Sequence, residues 1–179
     1  IKPAAGTLLP IKFGLPTFGT MARSITATDF DFIYSLYMHP QVNPWLLYEP
    51  MDAAAFKPVF EDLLSKNILY IFEAEGRPVG MFKFIQQPYR NHHIAYLGGL
   101  GIHPEFSGNG YGQQMMTEIV ALGKTMGIVR IELTVATINE KAITLYEKNG
   151  FVKEGVLRKF THLVKEDRYI DEVMMSYLY

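Results

Sequence analysis

The sequence predicts a single α/β (α+β) domain built on a central mixed β-sheet flanked by helices. Two segments with helical apolar spacing come first, three short β-rich runs joined by tight turns follow, and helix and strand patterns then alternate. A chain of 179 residues makes one compact unit. Its 49% hydrophobic and 20% charged content is the balance of a globular protein that offsets chain entropy by burial.

Residues 1–16, IKPAAGTLLPIKFGLP, break their apolar stretches at Pro3, Gly6, Pro10 and Pro16. They lack the continuous apolar region of a signal peptide and read as an extended arm or a foreign remnant, which leaves residues 17–179 as the domain. Thr28 or Asp29 then caps a helix whose Phe30, Ile33, Tyr34 and Tyr37 repeat every three to four residues, and His39-Pro40 ends it. QVNPWLLYEPM, with two prolines and the only tryptophan, predicts an aromatic loop or short helix. DAAAFKPVFEDLLSKN predicts a second helix, capped by Asp52, with Phe56, Val59, Phe60, Leu63 and Leu64 on one face. Pro58 predicts irregular early turns in it.

ILYIFEAEGRPVGMFKFIQ reads as an antiparallel hairpin around Glu75-Gly76-Arg77-Pro78, and HIAYLGGLGIHP adds a third strand to make a meander. A helix over 112–126, the strand IVRIELTV, a helix over 139–149, and the strands FVKEGVLRKF and DRYIDEVMMSYLY complete the chain.

Lys and Arg total 17 against 18 Asp and Glu, a net charge of -1, so no bulk basic field exists to hold nucleic acid or an anionic membrane. No apolar run reaches the roughly 18 to 20 residues needed to cross a bilayer. The absence of cysteine excludes disulfides, thiolate metal sites and an acyl-cysteine intermediate. No metal site is assigned.

The string GIHPEFSGNGYGQQMMTEIVALGK ends a strand at Ile102, turns through Gly108, Gly110 and Gly112, and begins a helix. Glycines there let successive backbone N–H groups converge at a helix N-terminus, whose partial positive charge favours a phosphate or pyrophosphate. Gln113 and Gln114 stand where a Walker A loop needs lysine and a hydroxyl. The spacing GxGxG after an antiparallel meander also departs from the dinucleotide fingerprint.

On these residues the chain resembles the GNAT family of acyl-CoA-dependent N-acetyltransferases, in element order over residues 22–179 and most sharply over 100–151. The family's Gln/Arg-x-x-Gly-x-Gly/Ala motif falls on Ser107-Gly108-Asn109-Gly110-Tyr111-Gly112, with Ser107 departing from the usual first residue. NEKAITLYEKNGF is similar to the family's Asn-x-x-Ala-x-x-Leu-Tyr-x-x-x-Gly-Phe pattern. On a helix, Asn139, Ala142 and Tyr146 share one face. Taken singly, Asn139 is explained as a helix cap, Gly150 as a terminator, and Leu145, Tyr146 and Phe151 as core.

The resemblance implies a splayed sheet with acetyl-CoA as cosubstrate between neighbouring strands. Cofactor contacts fall on Leu100, Gly101, Ile102, Ser107, Gly108, Asn109, Gly110, Tyr111, Gly112, Gln113, Asn139, Ala142 and Tyr146. Gly98-Gly99 suits a bulged or splayed strand, or an ordinary bulge. The implied reaction is direct attack of an amine on the thioester in a ternary complex, with Tyr146 as general acid toward the departing thiolate. The N–H of Leu100 or Ile102 is the positional candidate for the oxyanion.

The general base stays open among Glu49, Glu73, His92, His93 and a water chain, because Ala95-Tyr96-Leu97 lacks the carboxylate that many family members place there. Trp45, Tyr48 and Glu49 are candidates to surround a cationic amine. The expected acceptor is a small-molecule amine or amino acid. A protein N-terminus, or a non-catalytic CoA-binding sensor, is the alternative. Asp171 is placed to orient Arg158 or Lys159, VMMSYLY is either a dimer-forming strand or an internal one, and a cytoplasmic location is expected.

Overall fold

The computed structural model describes residues 19–179, so the arm at 1–16 lies outside the described residues. The elements run β1 (Met21–Ser24), α1 (Phe30–Tyr37), α2 (Ala53–Lys66), β2 (Leu69–Ala74), β3 (Arg77–Gln86), β4 (Ile94–Ile102), α3 (Tyr111–Thr125), β5 (Arg130–Ala136), α4 (Glu140–Lys148), β6 (Val152–Leu163) and β7 (Arg168–Leu178). One seven-stranded sheet has the order β1-β2-β3-β4-β5-β7-β6. It is mixed, because β4 and β5 run parallel while every other neighbouring pair is antiparallel. No helix among the described residues is long and apolar enough to cross a membrane.

The strand that sequence patterning did not anticipate is β1, an edge strand of four residues whose MARS carries no apolar alternation. Side-chain chemistry holds it. Arg23 donates to both oxygens of Asp29 at 2.8 and 2.9 Å, and to Glu73 on β2 at 2.7 Å. Asp29 also accepts from the Thr26 backbone N–H at 2.7 Å and the Thr26 hydroxyl at 2.9 Å. With only 6% of Asp29 exposed, the Arg23 fork beside it draws its carboxyl down to about 2, against the opposing effect of burial.

A folded-state pKa below the unfolded value of about 3.9 means stability that is present above pH 4 and lost as pH falls through about 2. Asp29→Asn is expected to cost about 2 kcal/mol at pH 7. The gap between wild type and variant closes between pH 4 and 2, which urea unfolding at stepped pH measures.

In α2, Asp52 accepts from the Ala55 N–H at 2.8 Å, and Asn67 closes the helix in the left-handed region at φ 51°. The irregularity predicted from Pro58 is absent, and the helix is continuous. The carbonyl that Pro58 leaves without a donor belongs to exposed Ala54, where water can replace the lost bond.

The sheet carries a core on each face. Ile33, Leu36 and Tyr37 of α1 and Phe56, Phe60 and Leu63 of α2 pack with Leu69, Ile71 and Met81 on one face. The other face gathers Phe72, Phe82, Phe84 and Leu97 with Met115 and Ile119 of α3 and Ile143 and Tyr146 of α4. The two-residue alternation of β3 therefore sends Met81 and Lys83 toward α1 and α2, and Phe82 and Phe84 toward α3 and α4.

The parallel seam is short. β4 and β5 pair only through Ile94, Ala95 and Tyr96 against Arg130, Ile131 and Glu132. Beyond that β5 stays with β7 as far as Ala136, and β4 stays with β3 as far as Ile102, so the two strands part. A bulge sits on the parting strand, since Met81 and Lys83 of β3 stand opposite Gly101 and Gly98, with Gly99 at φ +55° between them. Glycine adopts that conformation without a Cβ clash, and the bulge bends β4 away from β5.

Strand β7, which carries VMMSYLY, is interior, paired to β5 and β6, with Val173 and Met175 in the core. Among the described residues the edge strands of the sheet are β1 and β6. Asp171 accepts from the backbone N–H of Lys159 at 2.7 Å rather than from a basic side chain. The reason is local: Lys159 sits at φ 53° where β6 loses register between Leu157 and Thr161, so its N–H has no ladder partner and takes the carboxylate instead.

Candidate active site

A cleft of about 1090 Å³ opens where β4 and β5 separate and continues to the start of α3. That volume exceeds what a drug-sized ligand fills. Among the described residues β4 has a strand neighbour on one side only from Leu97 onward, so backbone groups on its other edge face the cleft without a ladder partner there. Leu100, Gly101 and Ile102 all line it. Gly101 and Ile102 hold register with Met81 and Gly80 of β3, whereas Leu100 falls in the bulge.

The glycine loop occupies one end. Gly108 at φ +85° and Gly110 at φ +76° both use the left-handed region, and a Cβ on either would project into open space. Gly110 caps α3, accepting the N–H groups of Gln113 and Gln114 at 3.1 and 3.2 Å. The N–H groups of Tyr111 and Gly112 in the first turn are left without intrahelical acceptors, the arrangement that receives an anion.

Ser107, Gly108, Gly110, Tyr111, Gly112 and Gln113 line the cleft, while Asn109 turns away and donates to the Phe106 carbonyl at 3.1 Å. Gln113 and Asn149 exchange bonds at 2.6 and 3.1 Å, so Gln113 braces α3 against the end of α4. Lys141 and Lys148 of α4 add positive charge to the lining.

Helix α4 contributes Asn139, Ala142 and Tyr146 to the same wall. The Asn139 side chain accepts from the Ala142 N–H at 3.2 Å, so that oxygen serves as the helix cap. Tyr146 is 8% exposed, and none of the described residues hydrogen-bonds its hydroxyl. Burial, reinforced by Tyr96, pushes its phenol well above the ordinary value. Tyr96 spans the fork, with its hydroxyl 3.2 Å from Thr134 Oγ1 on β5.

The opposite side of the cleft comes from the segment between α1 and α2 and from β6 and β7. Buried Asn43 donates to the carbonyls of Tyr37 and Tyr48, both at 2.9 Å, and so pins a short turn that presents Trp45 to the cleft. Tyr48 packs behind that wall against Tyr37 and Phe56. Glu49 lies at 3.3 Å from Lys165 and is outside the lining.

Glu73, bound to Arg23, and His92 and His93, before β4, are also outside it. The carboxylates that line the cleft are Glu140 and Glu172, the latter accepting from the Thr161 hydroxyl at 2.5 Å. Among the described residues no group of three His, Cys, Asp or Glu is placed to hold a metal. Lys83 was not anticipated, although a lysine between two phenylalanines in VGMFKFI was a visible break in an otherwise apolar strand.

A strand fork, a helix start with open N–H groups and a buried phenol share one cleft, an arrangement that suits an acyl-CoA-type transferase. Residues 30–151 match the model of the Acetyltransferase (GNAT) family. The chain belongs to that family and is an acetyltransferase.

Among its relatives, L-amino acid N-acetyltransferase AaaT of Escherichia coli is 30% identical over 163 residues, 86% of this chain and 94% of that protein. Spermidine N(1)-acetyltransferase of Vibrio cholerae is 26% identical over 152 residues, covering 80% and 82%. The crystal structure of spermidine N-acetyltransferase from Vibrio cholerae in complex with CoA and spermine superposes with a TM-score of 0.77 at 25% identity, covering 89% of this chain and 95% of that one.

Proposed function

We propose that this chain transfers the acetyl group of acetyl-CoA to the amine of a small molecule or amino acid by direct attack in a ternary complex. One observation carries the reading: the unpaired edge of β4, the open N–H groups at the start of α3 and the Tyr146 phenol all face a single cleft. The residues fit the cosubstrate. Ser107, Gly108, Gly110, Tyr111 and Gly112 form a concave backbone surface for the pyrophosphate, with Gln113 and Asn109 holding the loop's shape. Leu100, Gly101 and Ile102 offer amides to the pantetheine arm, and Asn139 and Ala142 close the far wall.

Acetyl-CoA supplies an activated thioester. As the amine nitrogen bonds to the carbonyl carbon and the carbon–sulfur bond breaks, Tyr146 gives its proton to the sulfur. A backbone N–H at Leu100 or Ile102 receives the charge that develops on the carbonyl oxygen. The surplus proton of the amine leaves through Glu172 or water, since Glu172 lines the acceptor side and the other carboxyl and imidazole candidates do not. Trp45, and Tyr48 behind it, shape the acceptor wall, and Glu49 borders it at the Lys165 contact.

Calorimetric titration with acetyl-CoA, CoA, ATP and NAD tests the reading. Selective binding of acetyl-CoA and CoA is expected, and binding of neither overturns it.

A further inference from the structure

Lys83 is 9% exposed, lines the cleft, and has no carboxylate within ion-pairing distance among the described residues. Its Nζ lies 3.4 Å from the Tyr48 hydroxyl, 4.8 Å from the Tyr48 ring centre and 5.9 Å from that of Tyr37. Aromatic faces favour the ammonium form, yet among the described residues its three N–H donors have only one acceptor. A buried ammonium without an anion is costly, and proteins pair such groups or bind a ligand there.

A second polar group is stranded beside it. The Tyr37 hydroxyl is the one buried side-chain polar atom without a hydrogen-bond partner among the described residues. Both groups converge on the bulge of β4, because a Cβ at Gly99 would meet the Tyr37 hydroxyl and Lys83 Cγ, each at 3.3 Å. Burial pulls the Lys83 ammonium below its ordinary pKa, Lys66 adds to this and Asp62 opposes it, so a bound anion would relieve the main destabilising effect.

Position in the sheet identifies which molecule would supply the anion. Lys83 projects to the α1–α2 face, while Tyr146 and α3 pack on the other face, and the fork between β4 and β5 joins the two sides. The phosphates of the cosubstrate belong with α3, so the ligand at Lys83 is the acceptor.

We propose that Lys83 binds a carboxylate of the acceptor at the β4 bulge, with the Tyr37 hydroxyl donating to its second oxygen, so that the enzyme selects amino acids over polyamines. The proposal rests on the acetyltransferase reading above. It also separates two kinds of relative, since the chain is similar both to an L-amino acid N-acetyltransferase and to spermidine N-acetyltransferases. A polyamine would bring a second cation against Lys83, whereas a carboxylate satisfies both stranded groups.

The test compares kcat/KM for a panel of amino acids against their own amides, which keep the amine and lose the negative charge, with spermidine as a third arm. Wild type is expected to favour each acid over its amide by about 10- to 100-fold, the range of a charge-assisted hydrogen bond, and to discriminate against spermidine at least as strongly. Lys83→Met is expected to bring the acid-to-amide ratio close to one while binding acetyl-CoA with wild-type affinity.

Lys83→Gln, which keeps a donor and drops the charge, carries the same expectation if the methionine variant fails to fold. Equal use of acids and amides by wild type, efficient acetylation of spermidine, or an equal fall for both acceptors in the variants overturns the proposal. Acetyl-CoA binding with no transfer to any amino acid overturns it too and leaves the cosubstrate assignment standing. Failure of wild type to bind acetyl-CoA instead removes the acetyltransferase reading itself.

Discussion

Tyr146→Phe is expected to lower kcat by about 10²- to 10⁴-fold, the usual contribution of a positioned general acid, with CoA affinity nearly unchanged. The substitution removes one oxygen from a side chain that none of the described residues hydrogen-bonds, so no buried partner is orphaned and packing against Phe151 persists. The loss therefore appears in turnover rather than in folding. Because burial raises the phenol's pKa, Tyr146 keeps its proton beyond the ordinary phenolic value of about 10. The kcat profile should accordingly show no alkaline limb from Tyr146 below about pH 10. The same desolvation disfavours a free thiolate, so the departing sulfur takes the proton readily in spite of the weak acid. Steady-state kinetics beside calorimetry decide the matter, and unchanged turnover in the variant rejects the acid role.

Gly110→Val is expected to weaken CoA binding by about 10²-fold, the equivalent of losing two charge-assisted hydrogen bonds. Residue 110 caps α3 at φ +76°, and a Cβ there meets nothing within 4 Å, so the new side chain projects into the space the pyrophosphate would take. Stability should fall by only about 1–2 kcal/mol, the cost of left-handed backbone in a substituted residue. Gly127→Val supplies the control. It stands at φ +70° in equally open space just past the far end of α3, so it carries similar strain with no effect on CoA. A Gly110→Val protein that binds CoA within about threefold of wild type sinks the cradle assignment.

These effects trace back unequally to the amino-acid order. The helices α1 and α2 and the β2–β3–β4 meander were legible because their apolar residues follow the period of the element they form. The glycine turn before α3 was legible as well, since glycines at 108 and 110 mark a backbone that only glycine adopts cheaply. Strand β1 was not, because four edge residues carry no period and are held by ion pairs to Asp29 and Glu73, 6 and 50 positions away. The candidates for general base were equally opaque. Glu49, Glu73, His92 and His93 each had suitable chemistry, but Lys165, Arg23 and the sheet geometry place them away from the cleft, while Glu172 arrives from β7.

The sequence by itself determined the order of helices and strands from α1 onward, the left-handed turns before α3, the bulge-prone glycines of β4 and the shared face of Asn139, Ala142 and Tyr146. All of these depend on backbone preferences or periodicity within a few neighbouring residues. Tertiary structure alone decided where β4 leaves β5, that the Asn139 oxygen and the Gln113 amide are spent within the protein, and that Lys83 meets Tyr37 and Tyr48 without a carboxylate. Those outcomes join segments tens of residues apart, and the packing of α1, the sheet and α4 around one another sets which side chains share the cleft.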